Sequence, residues 1–362
     1  MRRAAASATL AVALTACVHD VHRVGSLAPS TPPRESALRV LVFGDFGYRT
    51  VPQRLTARAM RRESAARPFD LAVEVGDNLY MCGPDPLRPG AETCAFSADG
   101  ASLAPGALPP DDPIFLVNEA PLAGLVGRDG TPLPIFLALG NHDVATGGRC
   151  AAPSLPPEDA ARRKACLSVA RRTRTWTMPA RHYVVDRGPV RLVVVDTNVV
   201  VGDYGGFTLA DEIAFVREAT AACGEDRPCF LMGHHPPAAV RGYGRGRAPA
   251  YAARMSRLVA AAGGRVRAFF AGHVHTLEHL SLGPLEVFVS GSTAMGGFHR
   301  FRFRWPATAQ ARFATSAWGY AVLEADAGGY RVRFMDHDGE ALHCCEAARS
   351  GACRPVECAR PP

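Results

Sequence analysis

The sequence predicts an α/β fold, and three observations support this prediction. Short apolar runs alternate with longer segments of helical spacing. The strand Leu38–Phe43 is followed by a helix at 51–67 and a second strand at 69–75, which is the order of a βαβ unit with parallel strands. Several predicted strands end in Gly and then a polar residue. With 362 residues, 48% of them hydrophobic, no internal repeat and no interior linker, we expect one domain.

The remaining elements follow in chain order. We expect a long loop at 81–113, a short helix at 115–125, a strand at 135–139, an insertion at 147–179 around a helix at 158–172, a hairpin of strands 182–185 and 191–195, a helix at 209–222, a strand at 229–232, a Gly/Arg loop at 241–247, a helix at 248–262, strands at 266–271 and 285–289, and a closing hairpin of 317–324 and 330–335.

The N-terminal segment predicts export. Arg2 and Arg3 precede a short apolar run that ends in Leu14-Thr15-Ala16-Cys17, which resembles a bacterial lipoprotein cleavage box. This resemblance implies cleavage before Cys17 and lipidation of its sulfur; an ordinary signal peptide with an incidental Cys is the alternative. We therefore expect an exported protein of the cell envelope or periplasm, attached to the membrane through a lipid anchor only. The expected divisions are a signal peptide at 1–16, a Pro/Ser-rich tether at 17–36, a domain at 37–343 and a Cys-rich tail at 344–362.

The cysteine count agrees with export. Of the 11 cysteines, ten remain after Cys17, which suits five disulfides in an oxidising compartment. Proximity along the chain favours Cys82–Cys94, Cys150–Cys166 and Cys223–Cys229, with Cys344, Cys345, Cys353 and Cys358 pairing in the tail or back onto the domain. A zinc knuckle of His343 and tail cysteines is the alternative, although the spacing lacks paired CxxC motifs.

The basic residues argue against a nucleic-acid partner. The formal net charge is +7, but Lys164 is the only lysine, and arginine together with abundant alanine is typical of a GC-rich coding bias. The chain has no Lys/Arg tract of the kind that binds nucleic acid.

Five predicted strands end in Gly followed by a residue that commonly binds metals. These residues are Asp45, Asp77, Asn141, His234 and His273. The carboxyl ends of parallel strands collect ligands at one edge of a sheet, and Gly lets the backbone approach an ion closely. Oxygen and imidazole donors without thiolate suit Fe, Zn or Mn. The sequence therefore predicts a metal site at this edge, with two ions bridged by Asp77.

The order of these motifs, from about 38 to 300, resembles the calcineurin-like metallophosphoesterase superfamily. The resemblance implies a four-layer αββα sandwich with a dinuclear metal site at the carboxyl ends of the strands. The first motif of that superfamily is Asp-x-His, whereas this chain has Asp45-Phe46-Gly47. The stretch Gly76-Asp77-Asn78-Leu79-Tyr80 resembles the purple acid phosphatase branch, in which a tyrosinate on a ferric ion replaces that His.

The resemblance implies two ligand sets that share Asp77. Asp45, Asp77, Tyr80 and His275 would hold Fe(III), and Asp77, Asn141, His234 and His273 would hold a divalent Fe, Zn or Mn ion. It implies a metal-dependent phosphomonoester hydrolase of the acid phosphatase type, using a metal-bound hydroxide in a dinuclear Fe(III)–M(II) site. The substrate would be a phosphorylated small molecule or a phosphoprotein.

Further roles follow from the same resemblance. His142 would be catalytic, contacting the phosphate or protonating the leaving group, and Asp143 would orient its ring, unless Asp143 is a turn residue. Asn141, His142 and His235 would bind substrate, although His235 could equally be structural. The mammalian-type branch has another His within about ten residues after the position of His234; this chain has none at 238–246, and Tyr243, Arg241 or Arg245 could compensate. We expect structural roles for His279, His299 and the Asp196-Thr197 pair.

Two alternatives remain open at this stage. One is a metallophosphodiesterase on the same scaffold. The other is a non-catalytic surface lipoprotein that uses the site to bind phosphate or a partner. A serine or cysteine hydrolase is unsupported, because the chain has no Gly-x-Ser-x-Gly elbow.

Overall fold

A computed structural model describes residues 27–30, 36–106, 112–240, 248–296, 306–349 and 351–358. The signal segment with Cys17, the compensating candidates Arg241, Tyr243 and Arg245, and His299 lie outside these described residues. Within them, no helix is long and apolar enough to cross a bilayer.

The described residues form a mixture of strands and helices up to β9, and the elements after β9 are strands. The strands are β1 Leu38–Phe43, β2 Leu71–Glu74, β3 Ile135–Leu137, β4 Arg172–Thr173, β5 Trp176–Thr177, β6 Tyr183–Arg187, β7 Val190–Val194, β8 Cys229–Met232, β9 Val266–Ala271, β10 Leu277–Leu282, β11 Leu285–Ser290, β12 Gln310–Thr315, β13 Gly319–Asp326, β14 Gly329–Asp336, β15 Ala341–Ala348 and β16 Arg354–Val356. The helices are α1 Val51–Ala66, α2 Leu116–Leu122, α3 Pro157–Ala170, α4 Asn198–Val201, α5 Leu209–Ala219 and α6 Ala248–Ala261. Short 3₁₀ turns occur at Ala91–Thr93, Pro113–Phe115 and Gly148–Cys150.

The strands form two sheets that pack face to face. One has the order β16-β15-β14-β13-β1-β2-β3-β5-β4, and the other has the order β12-β10-β11-β9-β8-β7-β6. Ser290 Oγ of β11 donates to Val42 O of β1 at 3.0 Å, and the rings of Phe288 and Phe334 lie 6.2 Å apart across the interface. Helix α1 contacts α2 and β13 of the first sheet, whereas α5 and α6 pack together beside the second. The expected four-layer αββα sandwich is therefore confirmed.

Helix α1 shows how the sequence positions the first strand end. Thr50 accepts from Gln53 N and caps the helix, and Pro52 fits its first turn. The Gln53 side chain donates to Phe46 O at 2.8 Å and to Val117 O at 2.9 Å. The helix therefore holds the loop that follows β1, which carries Asp45, against α2.

Most predicted elements are present near their predicted bounds. Strands β1, β8 and β9 begin and end where the sequence predicted, β1 pairs parallel to β2, and both predicted hairpins are antiparallel. Strands β4, β5, β10, β12, β15 and β16 were not predicted. In β10 the polar residues Glu278, His279 and Ser281 are buried and hydrogen-bonded, so the strand lacks an apolar pattern. The expected boundary between domain and tail, at 343/344, falls inside β15, so residues 344–348 continue the first sheet.

The disulfides confirm the count of five bridges and correct two of the predicted pairings. The bridges are Cys82–Cys150, Cys94–Cys166, Cys223–Cys229, Cys344–Cys358 and Cys345–Cys353. The predicted Cys82–Cys94 and Cys150–Cys166 bridges were wrong, because the loops at 81–113 and 147–179 lie against each other and are linked to one another, not each to itself. The predicted Cys223–Cys229 bridge and the pairing within the tail are confirmed. The zinc knuckle is excluded, because the tail cysteines are disulfide-bonded.

Candidate metal centre

The backbone takes an unusual conformation where three strands end. Asp45, Asp77 and His273 have φ angles of 58°, 57° and 67°, in the left-handed region that residues other than Gly seldom occupy. Such strain concentrates at functional sites. The neighbouring glycines permit close packing: a Cβ on Gly140 would lie 2.1 Å from Asp77 N, and one on Gly76 would lie 2.6 Å from His234 Nδ1. The turns therefore require Gly at these positions.

The first group of donor atoms surrounds the phenol of Tyr80. Its Oη lies 2.8 Å from Asp45 Oδ1, 2.8 Å from Asp77 Oδ2 and 3.2 Å from His275 Nε2. His275 Nε2 lies 3.3 Å from Asp45 Oδ1. The four residues come from loops after three different strands, and the fold brings them together as expected.

The second group surrounds the amide oxygen of Asn141. This Oδ1 lies 3.0 Å from His234 Nε2 and 2.8 Å from His273 Nδ1, and the two ring nitrogens lie 3.2 Å apart. His234 Nε2 also lies 3.3 Å from Asp77 Oδ1. His234 Nδ1 donates to Val75 O at 3.0 Å, which leaves Nε2 free of a proton in the neutral ring.

Asp77 joins the two groups. Its Oδ2 faces Tyr80, and its Oδ1 faces His234. The carboxylate is 1% exposed, so it is held between the groups without solvent. A carboxylate with one oxygen toward each group would be shared by cations held in the two groups.

The donor set fits a pair of cations. The phenol has one proton and can donate it to only one of the two carboxylate oxygens and the imidazole nitrogen around it. Several lone pairs around Tyr80 Oη therefore lack a hydrogen-bond donor. Asp45, Asp77 and His234 also form a buried cluster whose ligand atoms lie within 4.8 Å of one another. Carboxylates and a phenolate suit a hard trivalent ion, and an amide oxygen with two imidazoles suits a divalent one.

Charges within the site are strongly coupled. Burial raises the pKa of Tyr80, and the carboxylates of Asp45 and Asp77 raise it further, well above its ordinary value. Burial alone would raise the pKa of Asp77, but the His234 ring lowers it well below its ordinary range. Burial would lower the pKa of His234, but Asp77 raises it to about 9. The protein thus brings anionic groups together in a buried place, an arrangement that bound cations would stabilise.

The expected contact between the side chains of His142 and Asp143 is absent. His142 Nδ1 lies 2.7 Å from Met81 O, so a backbone carbonyl orients the ring, not Asp143. The Asp143 carboxylate is buried and accepts from Gly140 N at 2.7 Å, from Leu79 N at 2.9 Å, and from the backbone and side-chain nitrogens of Asn78. The prediction that Asp143 orients His142 is therefore corrected: Asp143 fixes the backbone of the two loops that carry Asp77 and Asn141, as the turn alternative held.

His142 itself lies beside the first donor group. Its ring centroid is 4.4 Å from that of Tyr80, its backbone N donates to Asp77 Oδ1 at 2.9 Å, and it is partly exposed. His235 is different, because it is 1% exposed, and its Nδ1 lies 2.9 Å from Thr197 Oγ1. Its buried position favours the structural alternative over direct contact with substrate.

The missing His of the first motif has a structural cause. A Cβ on Gly47 would lie 1.9 Å from Asn78 O, so no side chain fits there without movement of the backbone. Gly47 O accepts from Tyr80 N at 3.0 Å. The loops after β1 and β2 thus approach each other closely at Gly47. This approach excludes a side chain at position 47 and also positions Tyr80.

Among the described residues, those with expected structural roles have them. His279 is buried between His343 and Glu286, and Asp196 pairs with Arg181. Thr197 Oγ1 accepts from the backbone nitrogens of His234 and His235. These contacts support the site without facing it.

Sequence reasoning missed several contributors. The carbonyls of Val75 and Met81 orient the rings of His234 and His142, but a backbone group leaves no signal in a sequence. Tyr48 is 41% exposed, and its ring lies 5.9 Å from that of Tyr80. Its position directly after Gly47 in the sequence could have indicated that it lies near the site. The buried Lys164 Nζ donates to the carbonyls of Cys82 and Cys150. Its status as the only lysine could have drawn attention to it.

Comparison with known proteins agrees with this geometry. The family model described as calcineurin-like phosphoesterase matches residues 38–277. No curated protein sequence matches the chain.

Three solved structures share the fold at low sequence identity. GAP50, described as the anchor in the inner membrane complex of Plasmodium, has a TM-score of 0.60 and 17% identity over 86% of this chain and 89% of that chain. The purple acid phosphatase PPD1 of yellow lupin (Lupinus luteus) has a TM-score of 0.54 and 14% identity over 86% of this chain and 54% of its own, so the match spans about half of the lupin protein. PhoD has a TM-score of 0.54 and 13% identity, and the match covers 92% of this chain and 74% of PhoD. The family model covers most of this chain and every strand end that carries a donor, so the chain belongs to the calcineurin-like phosphoesterase family.

Proposed function

We propose that the protein is a phosphomonoester hydrolase of the acid phosphatase type, with Fe(III) and a divalent Fe, Zn or Mn ion as its metals. The observation that carries this proposal is the position of Tyr80. Its phenol replaces the imidazole of the family's first motif and contacts Asp45, Asp77 and His275. This substitution favours a site for one ferric and one divalent ion.

The chain's own residues would hold the two ions in the two donor groups. Asp45, Tyr80 and His275 serve one ion, Asn141, His234 and His273 serve the other, and Asp77 serves both. When bound, such a pair supplies Lewis acidity and lowers the pKa of water at the site. The seven side chains follow five different strands, so the protein fixes the separation of the charges before substrate arrives.

His142 is the group available for proton transfer. A carbonyl can only accept a hydrogen bond, so the contact with Met81 O places a proton on Nδ1 and directs Nε2 away from that loop. A protonated ring carries its second proton on Nε2 and can donate it to a phosphate oxygen or to the leaving alkoxide. The 4.4 Å contact with the Tyr80 ring keeps His142 beside the first donor group.

Turnover of two substrates tests the proposal. The metal-loaded protein is assayed with an aryl phosphomonoester and an aryl phosphodiester at acid and neutral pH, and we expect the monoester to react faster. His142→Ala should lower kcat by about 10²–10⁴-fold, whereas His337→Ala, remote from the donor groups, should not. Faster diester hydrolysis would replace the proposal by a phosphodiesterase. Absence of turnover on both would replace it by a binding role.

We also propose that Cys17 carries a lipid anchor that holds the protein in the cell envelope. The cleavage-box sequence before Cys17 and the five disulfides support this. In a bacterial host, Cys17→Ser should move the protein from the membrane fraction to a soluble fraction. Mass spectrometry of the N-terminal peptide should find a lipid attached to Cys17. A Cys17 without lipid in protein from the membrane fraction would contradict the proposal.

A further inference from the structure

A groove between α1 and α2 is lined on one side by arginines. Arg54, Arg58 and Arg61 follow one another on one face of α1, and Arg49 precedes the helix. The opposite wall is apolar and comes from the second helix, with Leu116, Val117, Ala120 and Pro121. The volume is about 380 Å³. We call this cavity the α1–α2 groove.

The positive charge in the α1–α2 groove is not neutralised. Within the described ranges, Arg49, Arg54 and Arg58 have no ion pair or side-chain hydrogen bond. The acidic residues of α1 and α2 are engaged elsewhere: Glu63 pairs with Arg39 and Arg333, and Glu119 pairs with Arg171. The groove therefore presents a field that a negatively charged ligand would complement.

This arrangement opposes helix stability. Like charges at i and i+4, as in Arg54 and Arg58, destabilise a helix by about 0.2–0.5 kcal/mol. A cation in the first turn, such as Arg54, also opposes the helix dipole. Burial, together with the charge of Arg58, lowers the pKa of Arg61, whose Nη1 donates to Pro121 O at 2.6 Å. Repulsion among arginines that no carboxylate offsets lowers the stability of the helix, and such a cost is typical of a binding surface.

The apolar wall indicates what kind of anion fits. Leu116, which lines this wall, is 49% exposed and is one of the few large hydrophobic residues on the described surface. A groove with a cationic side and an apolar side suits a peptide segment that carries both acidic and apolar side chains. A flat bilayer would reach the exposed arginines but would not enter the concave space.

The α1–α2 groove begins beside the metal centre. The helix follows β1, whose carboxyl end carries Asp45, so its first turn lies at the edge of the sheet where the donor groups gather. Arg49 directly follows Tyr48, whose ring lies 5.9 Å from that of Tyr80. A ligand in the groove would thus extend from the rim of the site along α1.

We propose that the α1–α2 groove binds an acidic segment of a phosphoprotein, next to the phosphorylated residue that enters the metal centre. The proposal rests on the proposed phosphomonoesterase function and names its substrate class. Arg49, Arg54 and Arg58 pair with the acidic side chains, and Leu116 packs against an apolar one.

Direct binding tests the groove without turnover. A fluorescent, unphosphorylated peptide of Glu and Leu is titrated with the protein at low and high salt, and its anisotropy is followed. The Arg54→Ala/Arg58→Ala variant should bind about tenfold more weakly, as expected for the loss of about 1.4 kcal/mol. The control Arg217→Ala/Arg257→Ala removes two exposed helical arginines elsewhere and should bind as the wild type does. Equal weakening in both variants would overturn the proposal, because net charge alone would then explain binding.

Kinetics separates this proposal from the proposed function. With a phosphopeptide flanked by acidic residues, Arg54→Ala/Arg58→Ala should raise KM about tenfold and leave kcat unchanged; a neutral phosphopeptide and an aryl phosphate should be unaffected. Peptide binding without turnover of any phosphoester would contradict the proposed function and leave the groove as a peptide site. Turnover of aryl phosphate with identical KM values for both phosphopeptides would overturn the groove proposal. Binding of anionic phospholipid vesicles in place of the peptide would also overturn it, in favour of a membrane surface.

Discussion

The phenol oxygen of Tyr80 lies 2.8 Å from Oδ2 of Asp77, the carboxylate whose other oxygen faces His234. The residue that distinguishes this chain from the family's common first motif therefore contacts the residue that joins both donor groups. A change at Tyr80 should alter one half of the site and leave the other half in place.

Tyr80→Phe should abolish the visible absorption of the iron-loaded protein. The band expected for the wild type arises from charge transfer between a phenolate and Fe(III), and the variant lacks the phenolate. Absorption spectra and metal analysis of the purified proteins check this. Tyr48→Phe is the matched control, since its ring lies 5.9 Å from that of Tyr80 but its hydroxyl is not in the donor group. A colourless, iron-free wild type that is fully active with other metals would rule out the ferric assignment.

Gly47→Ala should destabilise the protein and disturb the first donor group. A Cβ at this position would lie 1.9 Å from Asn78 O and 2.5 Å from Leu79 N, so the loop that carries Tyr80 must move. We expect a loss of about 1–3 kcal/mol or more in the free energy of unfolding, measured by denaturant titration, with reduced metal content.

Gly224→Ala is the control for this change, because nothing lies within 4 Å of the added Cβ. Its effect should remain within about 0.5 kcal/mol. Gly47→His should behave as Gly47→Ala does and should not provide a new ligand. A stable Gly47→His variant with restored activity in a Tyr80→Phe background would contradict the steric explanation.

The sequence predicted the parts of the site that depend on residue type at a strand end. Gly76, Asp77 and Tyr80 occur together in a short stretch after an apolar run, so their position on the sheet edge followed from general rules of α/β folds. The convergence of Asn141, His234 and His273 followed in the same way. These inferences need only local patterns and the direction of the strands.

Contacts between distant loops could not be predicted. The Cys82–Cys150 pairing depends on how two long insertions pack, and chain proximity favoured the wrong partners. The role of Asp143 depends on four nitrogen donors from the neighbouring loops, which no motif specifies. Strand β10 was missed because its buried polar residues find partners only in the tertiary structure.

Removal of the Cys82–Cys150 disulfide should lower catalysis through His142. The bridge fixes Cys82 next to Met81, whose carbonyl lies 2.7 Å from His142 Nδ1. Movement of this carbonyl would release the ring, and a misplacement of about 1 Å can cost about 10²-fold in rate. Cys82→Ala/Cys150→Ala should therefore reduce kcat more than it raises KM, as steady-state kinetics will show.

Cys223→Ala/Cys229→Ala is the matched control for this variant, since its bridge closes a separation of only 6 residues and contacts neither His142 nor Met81. Both variants remove one disulfide, so a general loss of stability would affect both. Equal kcat values in the two variants would show that the Cys82–Cys150 bridge does not position His142.

Glu212→Gln should destabilise the protein in a pH-dependent manner. The buried carboxylate accepts from Asp196 N at 2.9 Å and pairs with Arg181 and His182 at 2.9 Å each. Burial alone would raise the pKa of Glu212, but Arg181 and then His182 lower it below its ordinary value of 4.5. Because the folded-state pKa is lowered, the stabilisation is fully present above the unfolded-state pKa and is lost as the pH falls through the folded-state pKa.

The free-energy difference between wild type and Glu212→Gln should therefore be largest near neutral pH, at about 3 kcal/mol for a broken buried pair. It should shrink as the pH falls below 4.5. Urea titrations of EDTA-treated protein over this range exclude a contribution from metal release. Glu218→Gln, an exposed change on the same helix, should have no effect beyond about 0.5 kcal/mol at any pH. If the free-energy difference between wild type and Glu212→Gln stays constant as the pH falls, the shape of the Glu212 side chain, and not its charge, stabilises the buried network.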